Sequence, residues 1–270
     1  MTWSGEQLDM DAYLTRIGHQ GETDAAVGTL RALHRAHVAA IPFENLDVAL
    51  GRPVSLDTKS IQDKLVARRR GGYCYEQNSL LAAALERLGF EVTARGARNR
   101  TRGATITPVT HALLVVAIGG EQWLVDAGFG AQGVLEPIPL RDGAVVVQDG
   151  WTFGIALEDD GIHVLRALRP EGWSDLYAFA PQVLYPGDFE VMNHYSSTHP
   201  QSKFVGQVVA QCRRSGVRLM LVRDELTSVC ADGTVERRRI ASDDLGRVLA
   251  GEFGIDVAAA DARRLAALSQ

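Results

Sequence analysis

Cys74, His111 and Asp126 supply a thiol, an imidazole and a carboxylate. From these side-chain types a nucleophile, its base and the group that orients the base are assembled. Cys74 lies in RRRGGYCYEQNSLLAAALERLGF, where Gly71 and Gly72 precede it and an amphipathic helical pattern follows at once. Leu80, Leu81, Ala84, Leu85 and Leu88 form one apolar stripe, and Gly89 ends it with the residue type that best tolerates a left-handed C-cap. Cys74 is therefore expected in the first helical turn, where the positive end of the helix dipole favours a thiolate. The glycines allow close backbone approach, and N–H groups near Cys74 can serve as an oxyanion hole.

The base and its partner come from a different pattern. HALLVVAI and QWLVDAGF are β-rich segments separated by Gly119, Gly120 and Glu121, which is a hairpin signal. A turn centred on Gly119 and Gly120 sets Leu113 opposite Asp126 and His111 opposite Gly128. Strand parity then puts His111 and Asp126 on one face as diagonal neighbours, about 7–8 Å apart at Cα, a gap that these side chains close. A slip of one residue would send them to opposite faces. In the expected register Asp126 takes one imidazole nitrogen and leaves the other for a thiol. On the residues alone, a buried structural cysteine and a structural histidine at a strand start stand as the alternative.

The elements that must carry these groups follow from periodicity. From about Asp9 to Val38 the apolar positions recur at helical spacing, with Gly21 and Thr23 separating two helices. His34 and His37 are three residues apart but have no third ligand at metal spacing, so they are expected on a partly exposed helix face. Pro42 breaks the helix, and Asp57 to Arg69 returns to a helical pattern. Beyond Phe90 the period changes to two. Strands near 144–147, 152–157 and 163–168 complete a middle third that reads as an antiparallel sheet or barrel. LYPGDFEVMNHYSSTHPQSKF reads as a segment that connects or covers. Strands around a turn at Asp232 and Gly233 follow, and helices from Ser242 to Leu268 close the chain.

Composition sets the outer bounds. The 270 residues are 46% hydrophobic and 23% charged, which suits a globular chain that needs no disulfide or metal staples. A net charge of −5 argues against non-specific binding to nucleic acid. The run Arg68, Arg69, Arg70 is either a solvated or salt-bridged helix end or a cationic surround for the thiolate. The N-terminus carries acids where a signal peptide needs positive charge, and no stretch reaches the length of a membrane span, so a cytoplasmic protein is expected. Cys212 and Cys230 read as structural, and neither a disulfide framework nor a zinc site is indicated.

Four segments together resemble the arylamine N-acetyltransferases of the bacterial type: IPFENLD at 41–47, RRGGYCYEQN at 69–78, THALLVV at 110–116 and VDAGFG at 125–130. STHPQSKF looks like the same family. The resemblance implies an α+β fold: a helical domain over 1–90, an antiparallel β-barrel domain over 91–200 and an α/β lid over 201–270. It also implies a Cys-His-Asp triad like that of cysteine proteases, which falls on Cys74, His111 and Asp126. The implied reaction is a ping-pong acetyl transfer from acetyl-CoA, through a thioester on Cys74, to an arylamine or arylhydrazine nitrogen, as in xenobiotic metabolism.

By motif match Phe43, Tyr75, Phe129 and Phe204 line the aryl slot, and Thr110, Gly128 and Gly130 reach the CoA arm. Tyr75 stands where many relatives carry Phe, which bears on acceptor preference. Acetyl-CoA is a co-substrate; no tightly bound cofactor, metal, nucleic acid or membrane partner is implied, and monomer or homo-oligomer stays open. The same residues also suit amide synthases with another acyl thioester donor, a cysteine peptidase or transglutaminase-like enzyme, or a non-catalytic homologue that keeps the fold.

Overall fold

The structure is a computed structural model, and it describes residues 2–101, 103 and 106–269. The first part is helical: α1 (Met10–Ile17), α2 (Val27–Ala40), α3 (Leu46–Ala49), α4 (Thr58–Gln62) and α5 (Cys74–Arg87), with strand β1 (Phe43–Glu44) between α2 and α3. Asp9 caps α1 by accepting the Ala12 N–H at 3.0 Å, and Gly18 closes it at φ 69°. One π-helical turn over Asp63–Ala67 leads from α4 toward the glycines ahead of α5. Leu81, Ala84 and Leu85 of α5 are fully buried, so the apolar stripe seen in the sequence is the anchor of the helix that begins with Cys74.

The middle of the chain folds into β2 (Glu91–Asn99), β3 (Val109–Ile118), β4 (Glu121–Val125), β5 (Ile138–Pro139), β6 (Val145–Gln148), β7 (Trp151–Leu157), β8 (His163–Arg169) and β9 (Gly172–Phe179). They form one antiparallel sheet in the order β5-β4-β3-β2-β9-β8-β7-β6, curled into a nearly closed barrel. Leu114 pairs with Val125 and Ile118 with Glu121, which is the register that the glycine turn predicts. Gly119 at φ 59° and Gly120 at φ 83° supply the two positive dihedrals that a type I′ turn demands.

The segment that reads as a connection contains a helix, α6 (Pro186–Thr198), which packs on β3. Pro186 pre-sets the first turn, and Asp188 accepts the Tyr185 N–H at 2.7 Å, so the helix starts despite a weak apolar pattern. Then come β10 (Val209–Arg214), β11 (Val217–Val222), β12 (Glu225–Cys230), β13 (Val235–Arg239), α7 (Leu245–Phe253) and α8 (Ala259–Leu268). The strands β10 to β13 share a sheet with β1, ordered β1-β10-β11-β12-β13. Phe43 thus enters the C-terminal sheet opposite Gln211. Among the described residues no helix is long and apolar enough to cross a membrane.

The expected half-exposed face at His34 and His37 does not exist. Both rings are wholly buried, because their partners come from segments far along the chain.

Candidate active site

Cys74 opens α5 and is 3% exposed. The helix start is tied from several sides. Glu76 Oε2 accepts the Tyr73 N–H at 3.1 Å, while Glu76 Oε1 takes Lys64 Nζ at 2.8 Å. Lys64 also reaches Asp47 at 2.8 Å, and Arg70 reaches Glu44 at 2.6 Å. The Arg68–Arg70 run therefore splits: Arg68 pairs with Asp63 in an exposed bridge, whereas Arg70 is a buried strut and not a cationic surround for Cys74.

A Cβ on Gly71 would overlap the Pro42 carbonyl oxygen, and one on Gly72 would stand 2.7 Å from Glu76 Oε2. These glycines are required by close approach, not by positive φ.

His111 on β3 presents Nε2 to Asp126 Oδ2 at 2.7 Å, which leaves Nδ1 as its free ring nitrogen; Cys74, on the same cavity, lies with Sγ 3.9 Å from Thr110 O. Burial works against charge on this ring, but the charge and hydrogen bond of Asp126 outweigh it, with Cys74 adding, so the His111 pKa is pushed up to about 9. Asp126 is buried as well. That burial alone would raise its pKa, yet His111, the Asn78 amide and the Gly128 N–H hold the carboxyl below its ordinary range. Tyr177 packs beside them, its ring tilted at 4.9 Å from the His111 ring and edge-on at 4.8 Å from Phe129.

Asn78 is the residue that sequence reading passed over. It lies one turn after Cys74 on the same face of α5. Its Nδ2 donates to Ala112 O at 2.7 Å and to Asp126 Oδ1 at 3.0 Å, and its Oδ1 accepts the Ala127 N–H at 3.0 Å. One amide therefore locks the cysteine helix to β3 and to the segment that follows β4. Its spacing of four from Cys74 was the available signal.

His34 Nε2 accepts the Asp126 N–H at 3.1 Å, so the ring is neutral and Nδ1–H donates to Leu135 O at 2.8 Å. His37 accepts from Tyr13 at 2.9 Å and donates to Gln77 Oε1 at 2.8 Å, and Gln77 Nε2 then holds the Pro42 and Gly72 carbonyls at 2.9 and 3.2 Å. No His/Cys/Asp/Glu group suited to a metal occurs among the described residues.

A cavity of about 140 Å³ opens on Cys74 and His111, and Phe43, Thr110, Gly128, Phe129 and Phe204 line it. Asn99, Thr101, Gln132, Lys203 and Gln211 add a polar side. An adjoining cavity of about 330 Å³ shares Thr110 and Phe204 and continues along Pro108, Tyr195 and Ser196.

The fourth aromatic expected in the slot lies elsewhere. Tyr75 is fully buried, with its hydroxyl donating to Thr110 O at 2.9 Å and lying 3.0 Å from Ser196 Oγ. It sits on the α5 face turned toward Tyr73 and Phe189, behind the wall. Gly130 is also off the lining, at φ 80° against Gln211. The Gly128 N–H is committed to Asp126 Oδ1 at 2.9 Å, so Gly128 contributes closeness rather than a free donor. Cys212 and Cys230 lie far along the chain in β10 and β12; burial pushes the Cys212 thiol up to about 11.

Comparisons with known proteins point one way. A family profile described as N-acetyltransferase matches residues 26–262. The arylamine N-acetyltransferase of Mycolicibacterium smegmatis is 39% identical over 259 residues, covering 93% of each chain. The solved arylamine N-acetyltransferase of Mycobacterium abscessus superposes with a TM-score of 0.94 at 33% identity, over 99% of this chain and 96% of that one. The structure of the Mycobacterium marinum arylamine N-acetyltransferase in complex with CoA gives a TM-score of 0.89 at 34% identity, over 97% of this chain and 98% of that one. With likeness of this depth running through nearly the full length, the chain belongs to the arylamine N-acetyltransferase family.

Proposed function

We propose that this chain transfers an acetyl group from acetyl-CoA to the nitrogen of an arylamine or arylhydrazine in two half-reactions, with Cys74 as the acetyl carrier. The observation that carries the reading is His111, held by Asp126 at 2.7 Å through Nε2 and lining the same cavity as Cys74.

In the first half-reaction the Cys74 thiolate attacks the thioester carbonyl. The Cys74 N–H, at the first helical position and without a partner within the helix, is the oxyanion donor. As the tetrahedral species collapses, the C–S bond to CoA breaks and the His111 imidazolium gives its proton to the departing sulfur. In the second, the amine nitrogen attacks the acetyl carbon, neutral His111 takes the proton from that nitrogen, and Cys74 leaves as thiolate beside the renewed imidazolium. Exchange between thioesters is nearly balanced and amide formation is downhill. The protein's task is thus a ready thiolate, proton handling and charge stabilisation, and general acid–base help of this kind contributes about 10²–10⁴-fold.

Phe43, Phe129 and Phe204 suit an aryl ring, since they wall the cavity at Cys74. The adjoining cavity past Thr110 gives the pantetheine arm a route to the same sulfur, in keeping with a relative that was solved with CoA. An amide synthase acting on another acyl thioester would use the same three groups.

Mass spectrometry after incubation with acetyl-CoA and no amine tests the scheme. One acetyl group is expected on the peptide that contains Cys74. An unmodified peptide from protein that turns over normally would sink the carrier role.

A further inference from the structure

Arg213 on β10 and Arg218 on β11 are register partners, so their side chains leave the C-terminal sheet on the same face. They are only 5% and 2% exposed. That face meets the barrel at β7. The Arg218 guanidinium lies 3.4 Å over the Trp151 ring and 5.8 Å from Phe153, and the Arg213 guanidinium lies 6.0 Å from Phe153. Stacking covers the flat face of a guanidinium and leaves its N–H groups pointing outward in the plane.

Those edges are poorly supplied. Arg213 Nη1 donates to Gly133 O, but Arg213 Nη2, Arg218 Nε and Arg218 Nη2 are buried with no hydrogen-bond partner among the described residues. Like charges directly opposed across a strand pair repel, and burying them without compensation is costly. The surrounding charges do not cancel. Arg169 acts on Arg218, and Arg35 and Asp149 act on Arg213. Arg35 already binds Glu136 at 2.7 Å and Asp149 at 3.0 Å, and the exposed Glu171 acts on Arg169 through its charge alone. Arg35, Arg169, Arg213 and Arg218 thus stand against Asp149, Glu136 and Glu171, one positive charge in excess.

We propose that Arg213 and Arg218 hold one small monovalent anion of the halide class between the C-terminal sheet and the barrel, on the N–H groups Arg213 Nη2, Arg218 Nε and Arg218 Nη2. The anion removes the excess charge and supplies an acceptor for all three donors at once. It also has a structural reach. Arg213 grips the Gly133 carbonyl, beside Gln132 of the Cys74 cavity, and Arg169 Nη2 holds Gln132 Oε1 at 3.3 Å, so Arg213 links the anion site to that turn.

Bromide has the same chemistry as chloride and scatters anomalously, so crystals of the full chain grown in sodium bromide locate it. An anomalous peak is expected within hydrogen-bond reach of Arg213 Nη2 and Arg218 Nε. In solution, replacing gluconate by chloride or bromide at equal ionic strength should raise Tm by about 2–4 °C and saturate. Arg218→Met, uncharged and unbranched, should lose that response. No bromide at the pair, a protein or water oxygen on all three N–H groups instead, equal Tm in halide and gluconate, or an unchanged halide response in Arg218→Met overturns the site. If Arg218→Met fails to fold, the wild-type map and melting curves decide alone.

Discussion

His111 turns Nε2, not Nδ1, toward Asp126, at 2.7 Å across a hairpin whose glycine turn sets them on one face. The carboxylate therefore fixes which imidazole nitrogen stays free and also favours the imidazolium. Asp126→Asn keeps the shape but can hold the wrong tautomer. A fall in kcat/KM of about 10³–10⁴-fold is expected, with far-UV circular dichroism unchanged. Activity within tenfold of wild type would remove Asp126 from the proton path.

Stability should follow the same pair. In the unfolded chain a histidine titrates at about 6.5, whereas folded His111 is pushed up to about 9. A raised folded pKa contributes stability that is full below about pH 6.5 and is lost as the pH rises through about 9. Urea unfolding of wild type should show that alkaline decline, and His111→Gln should flatten it. Parallel curves for the two proteins would assign the decline to other groups.

The imidazolium beside Cys74 also predicts selective chemistry. At pH 6, iodoacetamide should label Cys74 at least about tenfold faster than Cys212 or Cys230, and His111→Phe should abolish the preference. Peptide mass spectrometry over a time course reads this directly. Equal labelling of all three cysteines would contradict activation by His111.

The hairpin was legible because a period of two and a glycine pair fix register locally, and register alone brings His111 to Asp126. The start of α5 was legible for a similar reason, since an apolar stripe and a closing glycine bound it on both sides. The buried supports were not. His34 meets Leu135 and Asp126, and His37 meets Tyr13 and Gln77, across separations that no local pattern encodes. Arg70 reads as one cation in a surface run, but Glu44 arrives from β1 to bury it. α6 was missed because its stability comes from a proline, an N-terminal carboxylate and packing on β3 rather than from a strong apolar face.

Gly128 presses on Cys74. A Cβ there would stand 2.5 Å from Cys74 Cα and 2.7 Å from Asn78 Nδ2, and both atoms belong to the buried start of α5. Gly128→Ala should cost about 1–3 kcal/mol of stability and most of the acetyl transfer, because the backbone must move. Gly28→Ala is the control: nothing lies within 4 Å of its Cβ, and a gain of about 0.4–1 kcal/mol with unchanged turnover is expected. Matching effects at the two positions would show that crowding at Cys74 is not the cause.

Tyr75 reads in the sequence as a selector of the amine, but its position assigns it other work. The ring is buried against Tyr73 and Phe189, and the hydroxyl holds the Thr110 carbonyl, the same oxygen that lies 3.9 Å from Cys74 Sγ. Tyr75→Phe removes the neutral hydrogen bonds to Thr110 O and Ser196 Oγ and should cost about 1–3 kcal/mol. Without the bond to its carbonyl Thr110 is held less firmly beside Cys74, so kcat should fall modestly while the ranking of aromatic amines by KM stays as in wild type. Phe129→Leu, at the cavity wall, should instead reorder the amines. A reordering by Tyr75→Phe with none by Phe129→Leu would return Tyr75 to the slot.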